Sequence, residues 1–262
     1  MDILKLIMMR KSVRTFDGRP LPERDRQALV DFAATIQNPF GIPVDFVFLD
    51  AAEHGLSSPV ITGEHLYVAG KVPKVPDREL AFGYSFEKLV LHAWSLGIGT
   101  TWIGGTMNRE LFEREVGKGD GEIMPIVSPL GYPAAERADV DRRLRAGVHG
   151  DERHDPTELF FTKDFATPIS PDAFPAALEA VRWAPSAVNI QPWRVVEDDN
   201  AFHFYEKHSK GFTASEDWDV QAIDMDIAIC HFMSVAGGAL EKRDPGIETD
   251  EATDYVATVV VG

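Results

Sequence analysis

The chain has 262 residues, 44% hydrophobic and 26% charged, a globular composition with room for one large domain or two small ones. A single Cys excludes a disulfide framework and Cys-based zinc sites, and no apolar run approaches the roughly 20 residues that span a membrane. The 26 basic and 42 acidic residues leave a net charge of −16, which disfavours nucleic acid and anionic membrane surfaces as partners.

In chain order, Asp2–Met9 is predicted as a short helix with Ile3, Leu4, Ile7 and Met8 on one face. Its acidic start and basic end reverse the order of a signal peptide, so a cytoplasmic location is expected. The basic loop Arg10-Lys11-Ser12-Val13-Arg14 follows, and alternation puts Arg10, Ser12 and Arg14 on one side. Two guanidinium forks and a hydroxyl suit a phosphate, although basic pairs on loops are more often simply solvated. Pro22–Ile36 is a helix with Pro at its start and Glu23 in its first turn. Val44–Leu49 and Leu66–Ala69 are strands, and Arg78–Leu96 is a long helix by the spacing of Leu80, Phe82, Phe86, Leu89, Val90 and Ala93. Gly97–Gly105 is Gly-rich around a short strand, Thr101–Ile103. Its Gly104-Gly105 end lets a backbone approach a ligand and offers bare N–H donors, or is a plain tight turn.

Met107–Val116 is a short helix, Ile123–Leu130 a buried strand, and Ala134–Asp155 a charged, partly helical surface excursion. The Pro-rich stretch Pro168–Pro175 is the expected linker, which divides the chain into halves 1–170 and 171–262. The first half carries 20 basic and 25 acidic residues and the second 6 and 17, so anion ligands are expected mainly from the first. Past the linker come a helix at Asp172–Trp183, strands at Trp193–Val196 and Phe202–Tyr205 around Asp198-Asp199-Asn200, a helix at Ala222–Leu240 and a strand at Tyr255–Val261. Between them, Ala184–Trp193 carries two prolines that restrict a loop with Ser186, Asn189 and Gln191. Those groups suit the edge of a planar heterocycle, or they cap the preceding helix and satisfy one another.

The second half reads as a repeat of the first, or the match is the one any helix–strand–helix–strand chain makes with itself. Pro43–Val47 aligns with Pro192–Val196, Glu87–His92 aligns with Asp226–His231, and Ile123–Gly131 corresponds to the closing strand. A pseudo-two-fold within one chain is expected, with a ligand cleft between its halves. The paired His92 and His231 are expected in the core, and no metal-ligand spacing accompanies them. Cys230 beside His231 is expected to be buried and inert, and Glu216–Asp219 to be a solvated turn.

Together the three chemistry-bearing segments resemble the nitroreductase superfamily of FMN-dependent α+β oxidoreductases. Arg10-x-Ser12-x-Arg14 is similar to that family's phosphate clamp, and Pro185-Ser186-x-x-Asn189-x-Gln191-Pro192-Trp193 to its Pro-Ser-Asn-Gln loop. Trp102-Ile103-Gly104-Gly105, Gly131-Tyr132-Pro133, and Arg153 ahead of Asp155–Leu159 are similar to its later elements. Residues 36–43, where the loop stands in ordinary members, have lost its pattern, and the second half lacks the clamp. The arrangement resembles the one-chain pseudo-dimers of that superfamily.

The resemblance implies a mostly antiparallel central sheet flanked by helices. It implies one FMN per chain, held by Arg10, Lys11, Ser12, Arg14 and Arg153 at the phosphate. Pro185, Ser186, Ala187, Asn189 and Gln191 would approach the isoalloxazine, and the backbone at Ile103, Gly104 and Gly105 the N5 edge. It implies NAD(P)H as donor and a small electron-poor acceptor, a nitroaromatic or quinone, in a ping-pong cycle without a catalytic side chain. The alternatives on the same fold are dehalogenating or flavin-consuming chemistry, and a flavin-binding or sensory protein with little turnover. A monomer or a loose homodimer is expected.

Overall fold

The structure, a computed structural model, describes residues 2–170, 174–210 and 218–262. Part of the expected linker, the start of the helix expected from Asp172, and Glu216-Asp217 of the acidic tract lie outside the described residues. The chain divides into two compact units: residues 9–149, and residues 150–262 together with residues 1–8. Residues 150–170 therefore group with the later half of the sequence. The fold is α+β, and the antiparallel-rich strands form two sheets, one in each unit.

Helix α1 (Ile3–Met9) opens the chain. In the unit 9–149, Pro22 precedes α2 (Glu23–Ala33), where its fixed φ costs nothing, and Glu23 and Asp25 face the positive end of the helix dipole. Strands β1 (Asp45–Asp50) and β2 (Leu66–Pro73) pair antiparallel, with Phe48 opposite Val68. Helix α3 (Arg78–Ser95) is buried on nearly every side, as its apolar sequence requires. Phe86 lies 5.3 Å from Phe82 and 4.8 Å from Trp102 between ring centroids. Helix α4 (Arg109–Glu115) starts where Asn108 accepts the Leu111 N–H at 3.2 Å.

The strand expected over Ile123–Leu130 is two strands. β3 (Glu122–Ile123) and β4 (Val127–Leu130) both pair with β2. Pro125 between them has no N–H to give a ladder, so pairing stops there. The stretch Thr101–Ile103 forms no full strand, although Ile103 exchanges backbone bonds with Val127 at 2.9 and 3.0 Å. The charged excursion holds α5 (Asp139–Gly147).

In the other unit, Asp155 caps α6 (Pro156–Leu159), accepting the Thr157 N–H at 2.9 Å. Next comes β5 (Phe160–Thr162), a strand not expected from sequence, parallel to β6 (Trp193–Asp198). Helix α7 (Ala176–Arg182) precedes the loop, and β7 (Ala201–Lys207), α8 (Val220–Ala236), β8 (Ala239–Glu241) and β9 (Thr253–Val260) follow. The sheet order is β5-β6-β7-β9-β8. The helix expected to run to Leu240 stops at Ala236 because Gly237 and Gly238 turn the chain with φ of 71° and 98°. A Cβ on Gly238 would lie 2.6 Å from the Val260 carbonyl oxygen, so only glycine fits.

Each unit has the same internal order. α2-β1-β2-α3-β4 in one and α7-β6-β7-α8-β9 in the other both place the second strand between two antiparallel partners. The matched histidines do the same work. His92 of α3 hydrogen-bonds the Ala28 backbone in α2, and His231 of α8 lies 2.9 Å from the Ala180 carbonyl in α7. Both are helix-to-helix ties, and Cys230 beside His231 is buried.

Candidate functional site

The basic segment is extended because its backbone is used on both sides. The Val13 N–H donates to the Thr100 carbonyl at 2.8 Å, Thr62 N–H to Arg14 at 3.0 Å and Ala134 N–H to Thr15 at 3.0 Å. Val13 packs so tightly on Gly99 that a Cβ there would lie 2.7 Å from the valine Cβ. Arg10 and Val13 are both buried, Lys11 is exposed, and Ser12 and Arg14 are half-buried, so burial along the segment does not follow simple alternation.

The Arg10 side chain is 3% exposed. Its Nε stands 3.8 Å from Glu87 Oε1, and among the described residues its Nε and one Nη meet no hydrogen-bond acceptor. Glu87, buried on α3, also accepts from the Trp102 indole at 3.3 Å. Arg14 lies 3.6 Å from buried Asp141 of α5, which takes the Thr15 hydroxyl at 3.2 Å and has Arg137 at 3.9 Å. Burial pulls the Arg10 and Arg14 pKa values down. Glu87 and Asp141 oppose it, and Arg145 repels both guanidiniums. A cavity of about 500 Å³ lies against this segment, lined among others by Lys11, Ser12, Thr15, Trp94, Arg137 and Asp141. Four arginines thus gather round two buried carboxylates, an arrangement that favours a bound anion.

The Gly104-Gly105 turn follows the Ile103–Val127 bridge. Arg109 at the start of α4 donates to the Gly104 carbonyl at 2.6 Å and to the Met124 and Pro125 carbonyls at 2.5 and 3.0 Å. Gly105 is exposed, and nothing lies within 4 Å of a Cβ built on it.

The loop Ala184–Trp193 is held from inside. Ser186 Oγ accepts the Gln191 N–H at 2.9 Å, and the Gln191 carbonyl oxygen of the side chain accepts the His154 N–H at 3.0 Å. Asn189 accepts from Arg153 at 3.3 Å and donates to the Glu152 carbonyl at 3.1 Å. Arg153 stacks over Trp183 at 4.8 Å. Asp224 of α8, buried, accepts the Ala187 N–H at 2.9 Å, and burial raises its pKa well above the ordinary carboxylate range. The structure therefore brings Arg153, Ser186, Asn189 and Gln191 together as one network. The side chains expected at a ligand edge point their bonds into the protein, and Val188 is the exposed residue at the tip.

Val188, Asn189 and Gln191 all have positive φ, of 43°, 62° and 55°. A β-branched residue in that region is a genuine outlier and costs about 1–2 kcal/mol. Val188→Asn should raise stability by about 1 kcal/mol, because Asn tolerates this backbone and Val188 has little burial to lose. A melting temperature at or below that of the wild type would refute the strain assigned here.

Sequence reasoning did not single out Arg109, Asp141, Asp224 or Glu206. Glu206 on β7 is buried, and its pKa is raised to about 7 by burial and by Asp219. His208 lies 2.9 Å from it and 2.8 Å from Asp254. A signal for Glu87 and Asp224 existed: acids set into apolar helices. Among the described residues no group of three His, Cys, Asp or Glu could hold a metal ion, and no helix is long and apolar enough to cross a membrane.

A family described as "Putative TM nitroreductase" matches residues 2–236. The fold is similar to that of a putative nitroreductase from Thermotoga maritima, with a TM-score of 0.61 and 20% identity over all of this chain and 94% of that one. An FMN-dependent nitroreductase from Clostridium difficile is similar over 52% of this chain and 92% of its own, with a TM-score of 0.44 and 14% identity. Iodotyrosine deiodinase bound to FMN and 3-iodo-L-tyrosine is similar over the same 52% and 92%, with the same TM-score of 0.44 and 14% identity. No curated protein matches.

Proposed function

Because the chain belongs to the family described as "Putative TM nitroreductase", we propose that it is an FMN-dependent oxidoreductase. Its donor is NAD(P)H, and its acceptor is a small electron-poor molecule of the nitroaromatic or quinone class. The observation that carries this is Arg10, a buried guanidinium with two hydrogen-bond donors that no acceptor among the described residues meets. Such a group is costly unless an anion completes it. The doubly charged phosphate of a flavin mononucleotide has oxygens for those donors.

Arg10 and Arg14 would take the phosphate charge, with the Ser12 hydroxyl as a further donor. Lys11, exposed at the rim of the adjoining cavity, would add a further positive charge. Arg153 fits the loop better than the phosphate, since its donors go to Asn189 and to backbone carbonyls. Ser186, Asn189 and Gln191 would keep their loop rigid, so that it meets a ligand without ordering cost. Gly105 would offer its N–H to the N5 edge. FMN, when bound, supplies hydride acceptance and donation at N5, and the protein binds, orients and tunes it.

The test is reconstitution with excess FMN and quantification of flavin released per chain, followed by reduction with NADH and NADPH. One FMN per chain, reduced by either nucleotide, is expected. A protein that takes up no flavin ends the proposal. Gly105→Ala gives a sharper check. The added methyl meets no protein atom within 4 Å, so the melting temperature should hold while FMN affinity falls about tenfold. Unchanged affinity would remove Gly105 from the site.

A further inference from the structure

Arg109 is the first residue of α4, and its guanidinium donates to three backbone carbonyls. Two of these, Met124 and Pro125, fall in the gap between β3 and β4, where no ladder uses them. The third, Gly104, lies 2.6 Å from Nη2. The Gly104 carbonyl and the Gly105 N–H belong to one trans peptide, so the N–H points away from whatever the carbonyl binds. A cation on the oxygen also draws electron density from the nitrogen, making that N–H a stronger donor. Gly105 is exposed, faces open space and has no hydrogen bond to another described residue.

We infer that Arg109 is a positioning residue, which aims and polarises the Gly105 amide as a donor to the flavin. The inference rests on the FMN site proposed above. Lys at this position would keep the charge but reach a single carbonyl, because only the planar fork spans three. Glu113, 3.8 Å away one turn along α4, adds an ion pair to the guanidinium.

The test compares wild type, Arg109→Ala and Arg109→Lys by FMN titration, by the midpoint potential of the bound flavin, and by the amide NMR shift of Gly105 without flavin. Arg109→Ala should bind FMN about tenfold more weakly. It should lower the midpoint potential, since the positive end of the amide dipole favours the electron-rich reduced flavin. It should also move the Gly105 amide resonance upfield before any flavin is added. Arg109→Lys should recover part of the potential. If wild type binds FMN and Arg109→Ala at saturation keeps the same affinity and potential, the inference is overturned and the FMN proposal stands. If wild type binds no FMN, the FMN proposal fails and takes this inference with it. Should Arg109→Ala not fold, Arg109→Lys decides: wild-type affinity, potential and Gly105 shift together would overturn the role.

Discussion

Arg10→Ala is expected to weaken FMN binding at least about a hundredfold, the largest effect of any single substitution in the basic segment. Each charge-assisted hydrogen bond is worth about 1.5–3 kcal/mol, and a guanidinium can give a phosphate two of them. Every 1.4 kcal/mol is about a factor of ten in affinity. The same substitution leaves Glu87 buried with its positive neighbour gone, although Trp102 still donates to it. A stability loss of roughly 2–3 kcal/mol should therefore accompany the binding loss. Two controls separate the effects. Arg10→Lys keeps the charge without the fork and should fall between. Glu87→Gln removes the counter-charge nearest Arg10 and should tighten FMN, because the phosphate then competes with less negative charge for the guanidinium. A folded Arg10→Ala protein with wild-type FMN affinity would show that the orphaned donors of Arg10 serve packing alone.

The elements that place Arg10 were legible in the sequence, and its partners were not. Periodicity locates α3 and α8 because both are apolar enough to be buried on nearly all sides, whereas alternation along the basic segment misses Val13, which is buried on the face opposite Arg10. The strand over Ile123–Leu130 reads as continuous because hydropathy is blind to the missing N–H of Pro125. That gap is what frees two carbonyls for Arg109. β5 escapes notice because three residues carry no period. The buried carboxylates escape for a different reason: Thr15 and Asp141 are 126 residues apart, and no local pattern reports a partner at that separation. The loop Ala184–Trp193 was legible as rigid, but the direction of its bonds was not. Whether Asn189 faces outward or takes Arg153 depends on left-handed backbone at three non-glycine residues, which sequence statistics disfavour.

The acid beneath that loop yields the second large effect. Glu206→Gln should stabilise the protein by about 1–2 kcal/mol at pH 8 and by little or nothing at pH 5. Burial and Asp219 raise the Glu206 pKa to about 7, so the folded state holds this proton more tightly than the unfolded chain. Stability from such a group is greatest at low pH and falls as pH rises from the ordinary carboxylate range toward 7. Asp224, raised by burial and by Glu206 itself, acts in the same direction. His208 does too: burial lowers its pKa, but Asp254 and Glu206 outweigh that, so its stabilising charge is lost as pH rises. His92 and His203, lowered by burial, work the other way below the ordinary histidine range, so the whole-protein profile is shallower than the Glu206 contribution. The substitution isolates that contribution. Its cost is the His208 pairing, which is why the expected gain is smaller than the full penalty of an ionised buried acid. A melting temperature raised by roughly 3–6 °C at pH 8, with the two proteins converging at pH 5, is the expected pattern. An equal shift at both pH values would mean that packing, not ionisation, distinguishes the two side chains. The difference at pH 8 measures how much stability the protein gives up to keep an ionisable acid buried on β7.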